Sequence, residues 1–171
     1  ESDSSASKHV IETTGPLIKH QSGICFIPVE HEGNTQGSDE EVEVITSIAK
    51  ELLGSCFWAK KGGTEKRELG WNDVLFVAPY NYQVNLLRKA LGAHAKVGSV
   101  DLFQGQEAPV VVISMCSSDA SESPRGIEFL FSKNRMNVAL SRAQALAVVV
   151  GSPRLGQTQV NSIKQMSLVN L

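Results

Sequence analysis

Three runs in this chain carry almost no polar residue: Val74 to Ala78, Pro109 to Met115 and Ala145 to Val150. A strand with one wet face alternates apolar and polar side chains, so a strand without alternation is buried on both faces. Covering both faces takes helices above and below, and the sequence between the runs supplies them. Ile24 to Val29 is a further short apolar run, followed by a polar, glycine-containing loop from His31 to Gly37. Ser38 then predicts a helix cap, with Glu41 three residues on completing a capping box. That helix carries Val42, Ile45, Ile48, Ala49, Leu52 and Leu53 on one face and stops at Gly54. Asn81 to Leu91 places Val84, Leu87 and Leu91 at helical spacing before Gly92. A strand is predicted near Lys96 to Val100, a short helix over Asn134 to Arg142 and another helix after Pro153. Lys60 to Gly70 and Ser117 to Gly126 are predicted loops. The pattern is α/β in three layers, a mainly parallel sheet with helices on both faces.

The length, 171 residues, suits one domain. Glu1 to Gln21 is polar and without a period, so it is expected to be a flexible lead-in or the tail of a preceding domain, with the folded unit at 22–171. Sixteen Lys and Arg against eighteen Asp and Glu give a net charge of −2, and no overall basic excess exists to neutralise phosphates. The longest unbroken apolar run, Ala145 to Val150, is far short of the roughly 20 residues that span a bilayer, so no membrane partner is expected. The chain opens on Glu1-Ser2-Asp3-Ser4 with no secretory signature and reads as a piece of something longer. Cys25, Cys56 and Cys116 are widely spaced and set in apolar sequence, which predicts reduced, mostly buried thiols and a cytoplasmic location. His9, His20, His31 and His94 have no partner at helical spacing, so no metal site is predicted.

Ligands of such sheets collect at the carboxyl ends of the strands. Three polar segments are predicted to converge there: Pro79 to Gln83, Asp101 to Glu107, and the helix from Arg135 to Arg142. Arg135 and Arg142 lie two helical turns apart, about 10 Å along one face, opposite a stripe of Met136, Ala139, Leu140 and Ala143. Two guanidiniums on one rigid face suit a polyanion such as a triphosphate. They also fit plain solvated helix charges. Gln104-Gly105 equally fits a tight turn, and Asp101 or Glu107 a helix cap.

The segments resemble known motifs in order and spacing. Ser99-Val100-Asp101-Leu102-Phe103-Gln104-Gly105-Gln106-Glu107 is similar to motif V of the superfamily 1 helicases of the Upf1-like, nonsense-mediated-decay group. Arg135-Met136-Asn137-Val138-Ala139-Leu140-Ser141-Arg142-Ala143 resembles motif VI, and Val77 to Gln83 resembles motif IV. A Gly-Ile-Glu-Phe-Leu stretch, Gly126 to Leu130, lies between V and VI. The resemblance spans roughly Gly23 to Gly151.

It implies a RecA-like domain of the P-loop NTPase type. In that family ATP sits in a cleft between two such domains and the single strand lies across both. No Gly-x-x-x-x-Gly-Lys-Ser/Thr occurs here, so the resemblance implies the second domain, cut from the first. It assigns Arg142 as the arginine finger and Arg135 as a support for phosphate contact or for the helix itself. Glu107, Tyr80 and Gln83 are implied to face the nucleotide, and Gln104, Gly105 and Asn81 the nucleic acid. ATP and Mg²⁺ are the implied cofactors, with the Mg²⁺ ligands in the first domain. The implied partners are single-stranded DNA or RNA and that first domain. The stretch around Phe26 to Asn34 is similar to bacterial members fused to a RecB-like nuclease, which adds a fused nuclease to the partners. Two departures stand out: Val84 follows the motif IV Gln where many relatives have Arg, and Gln144 stands where many have Arg or Lys. The expected function is the motor half of an ATP-dependent helicase or translocase, inactive by itself. The alternative is a non-catalytic module that grips strands or a partner. An α/β hydrolase would want a Gly-x-Ser-x-Gly elbow, and the chain has none.

Overall fold

The computed structural model describes residues 10–13, 15–58, 66–118 and 133–155. Five strands form one sheet: β2 (Gly23–Pro28), β5 (Val74–Val77), β6 (Lys96–Gly98), β7 (Ala108–Ser114) and β8 (Ala143–Gly151). Their order is β2-β8-β7-β5-β6, and every pairing is parallel. Phe76 stands beside Val112, Val112 beside Val148, and Val148 beside Cys25, so the apolar runs lie side by side across the middle of the sheet.

Alternate residues of each run face opposite cores. Phe76, Val110, Val112, Leu146 and Val148 pack with Ile45, Ile48 and Leu52 of α1 (Asp39–Leu53) and with Val84 and Leu87 of α2 (Asn81–Leu91). Leu75, Val77, Val111, Ile113 and Val149 face the other way, against Phe103 and against Met136 and Ala139 of α3 (Lys133–Ser141). Burial on both faces explains why no polar alternation survives in these strands; each such side chain contributes roughly 1.5–3 kcal/mol by leaving water.

The segment expected as a lead-in up to residue 21 is partly built into the domain. Val10–Glu12 forms β1, paired antiparallel with β3 (Cys56–Trp58), and β3 pairs with β4 (Lys66–Glu68). Ile11 is fully buried, Ile18 nearly so, and both belong to the core under α1. The carboxylate of Glu51 on α1 accepts the backbone N–H groups of Leu17 and Ile18, at 3.0 and 2.7 Å. A three-residue strand is too short to show a period, which is why the sequence hides β1. β4 carries no strand signal in sequence because all three of its residues are charged, and all three are exposed. Residues 1–9, the 119–126 part of the predicted loop, the Gly126–Leu130 stretch and the predicted helix after Pro153 lie outside the described residues, apart from a turn at 153–155.

Candidate functional site

Parallel strands put all their carboxyl ends at one edge. Pro79, Ser99, Met115 and Arg135 line a small cavity of about 40 Å³ there, largely apolar. Asp101 Oδ2 lies 3.6 Å from Arg135 Nη1, with the side chains 76% and 43% exposed. An ion pair so exposed is worth at most about 1 kcal/mol.

The third segment does not converge there as a whole, and neither does the second. Glu107 directly precedes β7 and Arg142 directly precedes β8, which places both at the amino edge. Their backbones meet: the N–H of Ala108 donates to the carbonyl of Arg142 at 3.0 Å. The reason is topological. To join parallel strands the chain must return across the sheet face each time. Residues 99–107 make that return from β6 to β7, as a 3-10 turn over Val100–Phe103 with Phe103 buried beneath it. α3 completes the return from β7 to β8, so Arg135 and Arg142 stand at its opposite ends, about 10 Å apart along the axis.

The stripe Met136, Ala139, Leu140 and Ala143 does face the core. Arg142 itself sits one residue past α3, half-buried, its N–H donating to Ala139 O at 3.3 Å. Its Nε is shielded from solvent and has no hydrogen-bond partner among the described residues. Gln104, Gly105 and Glu107 are exposed, on the return segment that enters β7. Gly105 has φ +80°, a left-handed conformation that glycine takes without strain, so Gln104-Gly105 is a tight turn in form.

At the carboxyl edge Asn81 is exposed and Tyr80 is 6% exposed. Gln83, expected to face nucleotide, is fully buried, and its amide is engaged within the protein. Its Oε1 accepts the Ser38 N–H at 2.8 Å, while Nε2 donates to Ser38 O at 3.3 Å and to Ser114 Oγ at 2.9 Å. A direct nucleotide contact would require breaking all three. The position on α2 explains the burial, since Gln83 lies one turn before Leu87 on the packed face.

Gln83 opens onto a buried polar cluster that sequence reasoning missed. Ser38 caps α1 as expected, its Oγ accepting the Glu41 N–H at 3.2 Å. Glu41 does not close a capping box. Its carboxylate turns inward, fully buried, and accepts from Ser114 Oγ at 2.8 Å, the Cys116 N–H at 3.0 Å and His31 Nε2 at 2.6 Å. The other ring nitrogen of His31 meets Ser118 Oγ at 2.5 Å, and Ser118 Oγ accepts the Asn34 N–H at 3.0 Å. Burial first, and the Glu41 charge second, push the Cys116 thiol well above its ordinary pKa. The signal was present: Glu41 shares its helical stripe with Ile45, Ile48 and Leu52. A carboxylate at the head of an apolar stripe calls for internal partners. Among the described residues no group of three His, Cys, Asp or Glu is placed to hold a metal ion, and no helix is long and apolar enough to cross a membrane.

The layered parallel sheet defines a RecA-like α/β domain. A family profile described as "AAA domain" matches residues 2–154, and the chain belongs to that family, the C-terminal helicase region of the Upf1-like superfamily 1 helicases. The chain is 35% identical over 133 residues to mov-10-B.1 of Danio rerio, a protein named as a helicase, covering 69% of this chain and 13% of that one. It is 41% identical over 91 residues to the RNA helicase Mov10l1 of Homo sapiens, covering 49% and 8%. To the DNA-binding protein SMUBP-2 of Mesocricetus auratus it is 28% identical over 148 residues, covering 84% and 13%. The chain therefore spans about an eighth or less of the length of these relatives.

Proposed function

We propose that this domain is the second motor domain of an ATP-dependent helicase or translocase and that Arg142 is its arginine finger. The observation that carries the reading is the Arg142 Nε at the amino edge, out of solvent and without a partner among the described residues. A buried guanidinium N–H left unpaired is costly, and an anion seated against it removes the cost. In this reading Glu107, whose neighbour Ala108 bonds the Arg142 carbonyl, meets the sugar end of the same ligand. Membership of the family implies ATP and Mg²⁺. Bound, they supply the reactive phosphoryl group and its charge neutralisation. In this reading the phosphate cradle and the metal ligands belong to a first RecA-like domain, and Arg142 adds positive charge where negative charge builds in the transition state.

The opposite, carboxyl edge offers Asn81, Arg135 and the Asp101 turn to the nucleic acid, with Gln104-Gly105 extending the track along the return segment. The relatives' names include both an RNA helicase and a DNA-binding protein, and the shared chemistry is nucleic acid. Tyr80 and Gln83 support this edge from within rather than by touching nucleotide. A purely strand-gripping module has no use for an anion-ready arginine at the far edge, which favours the motor.

The test uses the complete protein. Arg142→Ala is expected to lower nucleic-acid-stimulated ATP turnover by about 10³ to 10⁵, with Lys rescuing poorly because it keeps the charge but not the planar fork. Should the Ala variant keep more than about a tenth of the rate at an unchanged melting temperature, the finger lies elsewhere.

A further inference from the structure

The buried cluster joins segments far apart in sequence at the carboxyl edge. Hydrogen-bond direction follows from its members. A carboxylate only accepts, so Ser114 O–H, Cys116 N–H and His31 Nε2–H all point at Glu41. In the neutral imidazole with its proton on Nε2, Nδ1 accepts from Ser118 O–H, and Ser118 Oγ in turn accepts the Asn34 N–H. On the far side Gln83 Nε2–H donates to Ser114 Oγ, and the Ser38 N–H donates to Gln83 Oε1. These bonds run toward Glu41, apart from the second Gln83 Nε2–H, which donates outward to the Ser38 carbonyl, and each side chain in the chain from Ser118 to Gln83 is at most 7% exposed. At its end Cys116 holds φ +57°, a conformation uncommon for a side-chain-bearing residue, just after β7.

Three parts of the fold thus share one anchor. They are the 31–38 loop, the start of α2 with Asn81, and the exit of β7, whose Ser114 and Met115 also line the cavity beside Arg135. We propose that Glu41 is a positioning residue, which through His31, Ser114 and Gln83 fixes these three parts as one rigid carboxyl edge and so sets how tightly the domain grips a single strand. This rests on the strand-facing role proposed above for that edge. A network in which every member is satisfied specifies one geometry, whereas a half-satisfied one loosens.

The experiment measures binding of labelled oligothymidylate and oligouridylate to the complete protein, together with ATP turnover and melting temperature. Glu41→Gln keeps the volume but turns a donor toward His31 and reverses the chain. It is expected to weaken strand binding by roughly threefold to tenfold, and to raise the strand concentration giving half-maximal turnover by more than it lowers the maximum. His31→Gln, a milder change, is expected to do the same to a lesser degree, and together with Ser114→Ala to show non-additive effects. Leu52→Ala, which destabilises the core without touching the cluster, serves as the control. Strand affinity within about twofold of wild type for Glu41→Gln and His31→Gln overturns the proposal, as does an equal loss in Leu52→Ala. Wild-type protein that fails to bind either strand refutes the assignment of the edge itself, a distinct result.

Discussion

Glu41, Gln83 and Arg142 show how one residue's meaning depends on which way it faces. Glu41 had a good local role as a capping-box partner, yet its stripe position drew it inside, where only internal donors can satisfy it. Arg142 fitted a solvated helix charge, but it stands past the helix end with its Nε covered. The cysteines follow burial. Cys25 and Cys116 are buried and Cys56 half-buried, all as thiols. Alkylation of the native protein, followed by mass spectrometry, is expected to label Cys56 first; labelling of Cys116 at the same rate would contradict its raised pKa. The folded state holds the Cys116 proton more tightly than the unfolded chain. Its contribution to stability is therefore complete below the unfolded thiol pKa of about 8.5 and is lost as pH rises beyond that toward the folded value.

At the scale of elements, the long apolar strands and the two amphipathic helices were legible because each contains enough residues to show a period. β1 and β4 were not, since three residues show none and their stability comes from pairing with β3. Ile11→Ala is expected to cost about 2–5 kcal/mol, read from urea denaturation, because the side chain is fully buried in the core. A loss within experimental error would show that β1 is not part of the domain. β4 is pinned differently: Arg67 grips Asp73 by two bonds, 2.7 and 2.8 Å, and lies 5.2 Å over the Phe57 ring. The Arg67 hydrogen bond, before all other causes, holds the Asp73 carboxyl below its ordinary pKa. That contribution is present above the unfolded carboxyl pKa of about 3.9 and is lost as pH falls through the lower folded value. With Arg67 53% exposed, Asp73→Asn is expected to cost no more than about 1 kcal/mol at neutral pH and less in acid, measured as a shift in the denaturation midpoint.

Across the whole molecule, the proposed reading gives the two edges of one sheet different tasks. In it, the arginine at the amino edge faces the nucleotide while the polar rim at the carboxyl edge faces the strand. By itself the chain is expected not to hydrolyse ATP, and magnesium-dependent turnover surviving stringent purification would overturn the two-domain reading. Its net charge of −2 also predicts weak strand binding with a shallow salt dependence. A steep slope in a salt titration would point to phosphate contacts beyond those proposed.

The layered parallel fold and the family were both readable in the sequence, because burial on both faces and the motif residues are local patterns that survive without coordinates. The edge on which each motif residue acts was not. Return across a parallel sheet is a property of the paired strands, so the separation of Arg142 and Glu107 from Arg135 exists only once β7 and β8 are side by side. The Glu41 cluster likewise draws on His31, Gln83, Ser114 and Ser118, residues up to 87 positions apart, which no window of sequence joins. Tertiary structure alone brings those donors to one carboxylate, because only a closed core removes the water that would otherwise serve it.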